Sequence, residues 1–351
     1  MFKPFRLVFK RTYMKKYLIS ENGQFYKANL HTHTTLSDGK LTPEQVKEAY
    51  SSLGYSIVAY TDHDLFICHN DLTDDKFLAL NGFEWEIYEE PYTKGKRDTR
   101  SMHACAIARS PDIVNPVCCH REKYYIQDNY ENRKLVKFDE NEPDFEREYS
   151  TECVNTFFKK AKDKNFFVTY NHPTWNGETS EQYLSYENMH AFEIFNTGCY
   201  YGGYDEYNPR VFDDFLRSGK KIYCIAADDM HKITEVGGGW VNIMAEKLEY
   251  NTVMDALING QFYSSNGVEI KSLFIEDDLV TIETSPAKQI IMSCGTRRIS
   301  SKKNADGSLV ETATFKVYPY DKYIRFTVRG ENGTWANSNA YFTDEILKEQ
   351  K

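Results

Sequence analysis

Two kinds of apolar pattern alternate along the first two thirds of the chain. Short runs of adjacent apolar residues occur in YSIVAY at 55–60, FLALNGFEW at 77–85, the stretch 104–108, FFVTY at 166–170, AFEIFN at 191–196 and KIYCIAADD at 221–229. Such runs predict buried strands. Between several of them, apolar residues recur at helical spacing: Val46, Ala49, Tyr50 and Leu53; Val154, Phe157, Phe158 and Ala161; and the segment 209–216, closed by Gly219. Thr42 is placed to cap the first of these helices, with Pro43 at its first position, Gln45 completing a capping box and Gly54 ending it. A further strand at 26–30 leads into HTHTTLSDG. Strands alternating with helices predict an α/β fold built on a parallel sheet or barrel.

Two regions break the pattern. Residues 109–150 are polar, Tyr-rich and highly charged, and read as an insertion that is either a solvated surface loop or a lid. Beyond residue 266 the helical spacing stops. Strands are expected at 272–275, 279–284, 289–294, 312–318 and 323–329, between turns such as Ala-Asp-Gly and Glu-Asn-Gly-Thr. The expected organisation is a large α/β unit over 1–265 and a small β-sandwich-like domain over 266–351.

The 351 residues suffice for a large domain and a small one, and 41% hydrophobic with 27% charged residues is ordinary for a globular protein. A net charge of −9 argues against coating nucleic acid, which needs clustered Lys and Arg. The N-terminal MFKPFRLVFKRTYMKKYLI is interrupted by Lys and Arg, and no stretch approaches a membrane span, so a cytoplasmic protein is expected. The eight cysteines are scattered without a CxxC pair. Cys105, Cys199 and Cys224 read as buried thiols, and Cys118, Cys119 and His120 form a weak metal-site candidate.

The chemistry-bearing residues gather at strand ends. His31 and His33 are two apart, so in extended chain both imidazoles face one way. Asp38 follows; His63 stands in TDHD after YSIVAY; Glu84 ends FLALNGFEW; His103 abuts 104–108; His172 follows FFVTY; Asp229 and His231 follow KIYCIA. Active sites of parallel α/β barrels are assembled this way, and imidazole with carboxylate suits Zn, Mn or Fe. Asp62 and Asp64 read as turn or supporting residues, and His69 and His190 have no ligand-like context.

The motifs HTHTTLSDG, TDHD, GFEW, NHP and AADDMH, in this order over roughly residues 28–265, resemble those of the PHP family, the polymerase and histidinol phosphatase domain. The resemblance implies a distorted seven-stranded β/α barrel with a cluster of two to three metal ions at the C-terminal face. It implies that His31, His33, Glu84 and Asp229 hold one ion. Glu84 would bridge to a second ion, to which His103 and His172 are added, and Asp38, His63 and His231 would hold a third. Asp228 stands where the family often has a small residue. Glu84, Asp229 and His172 would then lie at the reacting centre, where two ions ~3.5–4 Å apart acidify a shared water.

Substrate recognition leaves more than one reading. Lys94, Lys96, Arg97 and Arg100 form either a phosphate-binding loop or a solvated basic hairpin. Asn196, Tyr200, Tyr201 and Trp175 line the pocket or pack in the core or lid. The leading expectation is a phosphoesterase acting on a small phosphorylated molecule. The stretch YIRFTVRGENGTWANSNAYF also resembles a tail of PHP relatives that hydrolyse carbamates and aryl esters, though Ser338-Asn339-Ala340 departs from their Ser-Asn-Pro ending. An ester or carbamate hydrolase on the same ions therefore stays open, as does a catalytically silent, metal-stabilised binding module.

Overall fold

A computed structural model describes residues 15–90, 99–126 and 129–347. Lys94, Lys96 and Arg97 lie outside the described residues. The fold is mixed α/β, organised on one large sheet. Its centre is parallel, with Gln24–Asn29 beside Ile57–Tyr60 beside Leu78–Tyr88. Ser101–Ala108 then runs antiparallel to both Leu78–Tyr88 and Phe166–Tyr170, and the parallel order resumes through Ala191–Asn196 and Tyr223–Ala227. In the other direction Gln24–Asn29 pairs antiparallel with Trp240–Ala245, which pairs with Phe262–Ser265. Tyr223–Ala227 comes back beside this edge, where Ser264 Oγ donates to the Cys224 carbonyl at 2.8 Å.

The helices form where the spacing predicts them. Pro43–Ser52 carries the Thr42–Gln45 capping box and buries Val46 and Tyr50, while Leu53 is half exposed at its end. Thr151–Asp163 buries Val154, Phe157, Phe158 and Ala161 against the sheet, with Phe157 stacked on Trp85 at 4.4 Å between centroids.

After residue 266 the regular elements are nearly all strands. Ile270–Glu276, Leu279–Ala287 and Val310–Lys316 form an antiparallel sheet, and Lys15–Tyr17 from near the chain start pairs on its edge. Gln289–Cys294, Ile299–Lys302, Tyr323–Arg329, Trp335–Ser338 and the short Tyr341–Phe342 continue the large sheet, because Trp335–Ser338 pairs with Phe262–Ser265. Leu273, Ile275, Val280 and Ile282 meet Ile290, Met292, Phe326 and Val328 in one apolar core.

Among its described residues the insertion 109–150 holds one short helical segment, Tyr130–Leu135, and it is tied down by polar contacts. The Asn129 amide donates to the His63 carbonyl at 2.7 Å, and that of Asn132 to the Leu36 carbonyl at 2.7 Å. Arg147 is buried, paired with Asp64, donates to the Glu86 carbonyl at 2.7 Å, and lies over the Trp85 ring. Among the described residues no helix is long and apolar enough to cross a membrane.

Candidate metal centre

The structure brings all nine proposed ligands to one place. The His31 and His33 imidazoles meet Nε2 to Nε2 at 3.1 Å. Asp229 Oδ1 lies 3.2 Å from His31 Nε2 and 3.0 Å from His33 Nε2. Glu84 spreads its two oxygens over separate partners. Oε1 faces His31 at 3.2 Å, His103 at 3.3 Å and His172 at 3.4 Å; Oε2 faces His33 at 3.4 Å and His63 at 3.2 Å. Asp38 Oδ1 lies 3.3 Å from His231 Nε2 and 3.8 Å from both His33 Nδ1 and His63 Nε2. Three sets of potential ligand atoms result: His31, His33, Glu84 and Asp229; His63, Glu84 and His103; and His33, Asp38, His63 and His231.

This donor set fits metal ions. Ligand atoms on the corners of a tetrahedron with bonds of about 2.0–2.1 Å stand about 3.3 Å apart, and the separations around His31 and His33 are 3.0 to 3.4 Å. His33 Nδ1, His63 Nδ1, His172 Nδ1, Asp38 Oδ1 and Asp229 Oδ1 are buried without a hydrogen-bond partner. For His63 Nδ1 this holds although Glu84 Oε2 and Glu86 Oε2 stand 3.2 and 3.1 Å away, because neither aligns with the ring nitrogen for a hydrogen bond. Buried polar atoms left unpaired by protein are costly, and a cation removes that cost.

The surroundings maintain the charges. Burial opposes ionisation of Glu84, but His31, His103 and His63 outweigh it and hold its carboxyl well below the usual range. Asp229 is held low in the same way by His31, His33 and His231. Burial pulls His31 and His33 down, yet Asp229 and Glu84 lift both well above the ordinary imidazole value. His63 is pushed up to about 9 against the same burial, chiefly by Glu86. His103 is lowered by burial. The backbone is strained at two ligands, with φ of +24° at His172 and +51° at Asp229.

Several residues around the ligands escaped the sequence reading. Glu193, fully buried in Ala191–Asn196, accepts from His31 Nδ1 at 2.7 Å, the His172 backbone N–H at 2.9 Å and Asn196 Nδ2 at 2.8 Å. It thereby leaves His31 Nε2 bare toward the cluster, the usual carboxylate–histidine–metal arrangement. Asn171 of NHP donates to Glu84 Oε1 at 2.7 Å. Asp228 is buried and takes five donors: Gly237, Gly238 and Gly239 N–H, the Thr197 hydroxyl and the Tyr50 hydroxyl. Asp62, by contrast, reads from the sequence as a turn or supporting residue, and it holds the Thr34–Ser37 turn through the N–H and hydroxyl groups of Thr34 and Ser37.

Beside the ligands opens a cavity of about 190 Å³, walled by Trp175, Tyr204, Cys199 and Glu235. The Trp175 ring lies 5.0 Å from that of His103 and 4.9 Å from that of His172. Other candidates for substrate contact stand away from the cavity wall. Asn196 is fully buried and caps the helix Thr197–Tyr201; its amide protons go to Glu193 and, at 3.1 Å, Asp229. Arg100 is turned to Glu89 and, at 3.1 Å, Gln182, and is not part of the cavity wall. Tyr200 and Tyr201 are exposed and line no part of it. His120 Nδ1 accepts from the Glu122 and Lys123 N–H groups, and among the described residues His120, Cys118 and Cys119 do not converge as a ligand group.

No family model matches the chain, and no curated protein matches it in sequence. Among solved structures it is similar to PHP-like metal-dependent phosphoesterases. A two-domain protein of Bacteroides vulgatus with an inferred PHP-like phosphoesterase domain is 15% identical, over 94% of this chain and 98% of that one, at a TM-score of 0.43. An inferred metal-dependent phosphoesterase of Bifidobacterium adolescentis is 17% identical over 69% of this chain and 98% of its own, at 0.39. An amidohydrolase of Chromobacterium violaceum, with bound sulfate and no metal, is 14% identical over 58% and 87%, at 0.37.

Proposed function

We propose that the protein is a metal-dependent hydrolase of PHP type whose substrate is a small phosphate ester. The observation that supports this reading best is the spread of Glu84: one carboxylate reaches two different groups of imidazoles with its two oxygens. Two or three Zn, Mn or Fe ions held there would supply Lewis acidity and a water acidified towards neutrality. The chain's own part is placement. Glu84 and Asp229 set the anionic charge of the centre, His31 and His172 are fixed through Glu193, and Trp175 with Tyr204 walls the space where a substrate group would sit.

A second reading, hydrolysis of a neutral ester or carbamate, draws on Arg100. Its guanidinium is already engaged by Glu89 and Gln182, leaving it poorly placed to grip a phosphate. A hydrolysis screen of phosphomonoesters, phosphodiesters, aryl esters and carbamates, with Mn and Zn supplied separately, decides between them. Turnover of phosphomonoesters alone supports the first reading; turnover of aryl esters or carbamates alone replaces it with the second. Metal analysis of the loaded protein should give two to three ions per chain, and fewer than one would sink the cluster.

A further inference from the structure

The strand Leu78–Tyr88 carries Glu84, Glu86 and Tyr88 two residues apart, so all three side chains project from one face. Across the ladder His103 sits directly opposite Glu86. The Tyr88 hydroxyl donates to Glu86 Oε2 at 3.0 Å and stands 3.2 Å from His103 Nε2. A phenol has one proton, and here it goes to the carboxylate, because an ionised carboxylate only accepts. The Tyr88 oxygen must then accept from His103, whose proton is thereby placed on Nε2. His103 Nδ1 is left with a bare lone pair 3.3 Å from Glu84 Oε1, itself an acceptor. Two acceptors facing each other at that distance repel unless a cation lies between them.

We infer that Tyr88 and Glu86 are a positioning pair that fixes His103 as an Nδ1 ligand to an ion shared with Glu84. The inference rests on the proposed metal cluster and goes beyond it by assigning the ligating nitrogen and the residues that enforce it. Glu86 has a further effect, since its Oε2 lies 3.1 Å from His63 Nδ1 and adds negative charge beside a second imidazole. The pair thus spans two of the three ligand groups from a single strand face. The Tyr88 and His103 rings also meet edge to face at 5.6 Å between centroids, so Tyr88→Phe removes the hydroxyl's hydrogen bond and keeps the ring contact.

The test titrates the full chain with Zn²⁺, and separately Mn²⁺, against a competing chelator. Tyr88→Phe should weaken one class of sites by ~10–100-fold, the loss typical when the partner of a ligating histidine is removed, and leave the others unchanged. The same substitution made in His103→Gln should add nothing further. Nitrogen-15 spectra of the zinc-loaded wild type should show His103 protonated at Nε2, and Tyr88→Phe should mix the two tautomers. Glu86→Gln retains an acceptor for Tyr88 and should lose less affinity than Glu86→Ala, an independent check should Tyr88→Phe fold poorly. Unchanged zinc affinity in Tyr88→Phe, or a His103 proton on Nδ1, would overturn the inference. A wild-type chain that binds neither metal would instead overturn the cluster itself.

Discussion

Replacing Glu193 with glutamine tests how tightly the centre depends on a residue that touches no proposed ion. Glu193 Oε1 receives His31 Nδ1 at 2.7 Å, while Oε2 receives the His172 N–H and Asn196 Nδ2. An amide can keep an oxygen on only one side. If the oxygen faces His31, the NH₂ opposes two buried donors, at a cost of ~1–3 kcal/mol for each one orphaned. If it faces His172 and Asn196, the NH₂ confronts His31 Nδ1 and a single contact changes character. The second orientation therefore wins, and it forces the His31 proton onto Nε2, where the lone pair for an ion should be. Metal affinity should fall by ~10–100-fold, equivalent to ~1.4–2.7 kcal/mol. Metal-free stability should change less, by ~1 kcal/mol for one weakened hydrogen bond. Chelator-competed zinc titration reads the first quantity, and urea unfolding in EDTA reads the second. The reasoning is refuted if zinc affinity stays within about twofold of wild type, or if the stability loss without metal is as large as the loss in binding.

Glu84→Ala should lower turnover of whichever substrate the screen identifies by more than ~10²-fold while the chain stays folded, because it removes a carboxylate whose two oxygens face different imidazole groups; near-normal rates at saturating metal would exclude a bridge. Because Asp229, Glu84 and Glu86 hold His31, His33 and His63 protonated to higher pH than usual, metal uptake near neutrality should release protons. Calorimetric heats of zinc binding should therefore vary with the ionisation enthalpy of the buffer, and identical heats in phosphate-free buffers of different enthalpy would contradict the charge states described. Gly238→Ala should destabilise by ~1–3 kcal/mol or more, since a Cβ there would stand 2.2 Å from Thr197 Cγ2, on the side chain whose hydroxyl binds Asp228; a urea midpoint unchanged from wild type would show that the Asp228 cradle can yield.

How much of this was legible in the sequence depends on how far apart the interacting groups lie along the chain. The strands and the helices Pro43–Ser52 and Thr151–Asp163 follow from local periodicity and capping, and the histidines and acids that end or follow strands could be singled out because each stands against an apolar run. Strand ends were read less well. FLALNGFEW stops at Trp85 only if the polar residues of EIYEE are taken as a loop; the strand runs to Tyr88, so Glu84 lies inside it and Glu86 and Tyr88 share its face. The alternation in FEWEIY carried that signal. So did AFEIFN, where a carboxylate inside an apolar strand must find buried donors, as Glu193 does with His31. Other features had no local sign. Arg147 meets Asp64 across 83 residues, Asp228 needs three consecutive glycines on a separate loop, and Lys15–Tyr17 pairs with Ile270–Glu276. Periodicity gives the face a side chain occupies, whereas its partner is set by how strands order in the sheet. For the same reason Arg100 could be placed between two ligand motifs by sequence and still be turned away from the cavity: proximity along the chain limits where a guanidinium can reach, and the nearest free carboxylate, here Glu89 across the strand pair, decides where it goes.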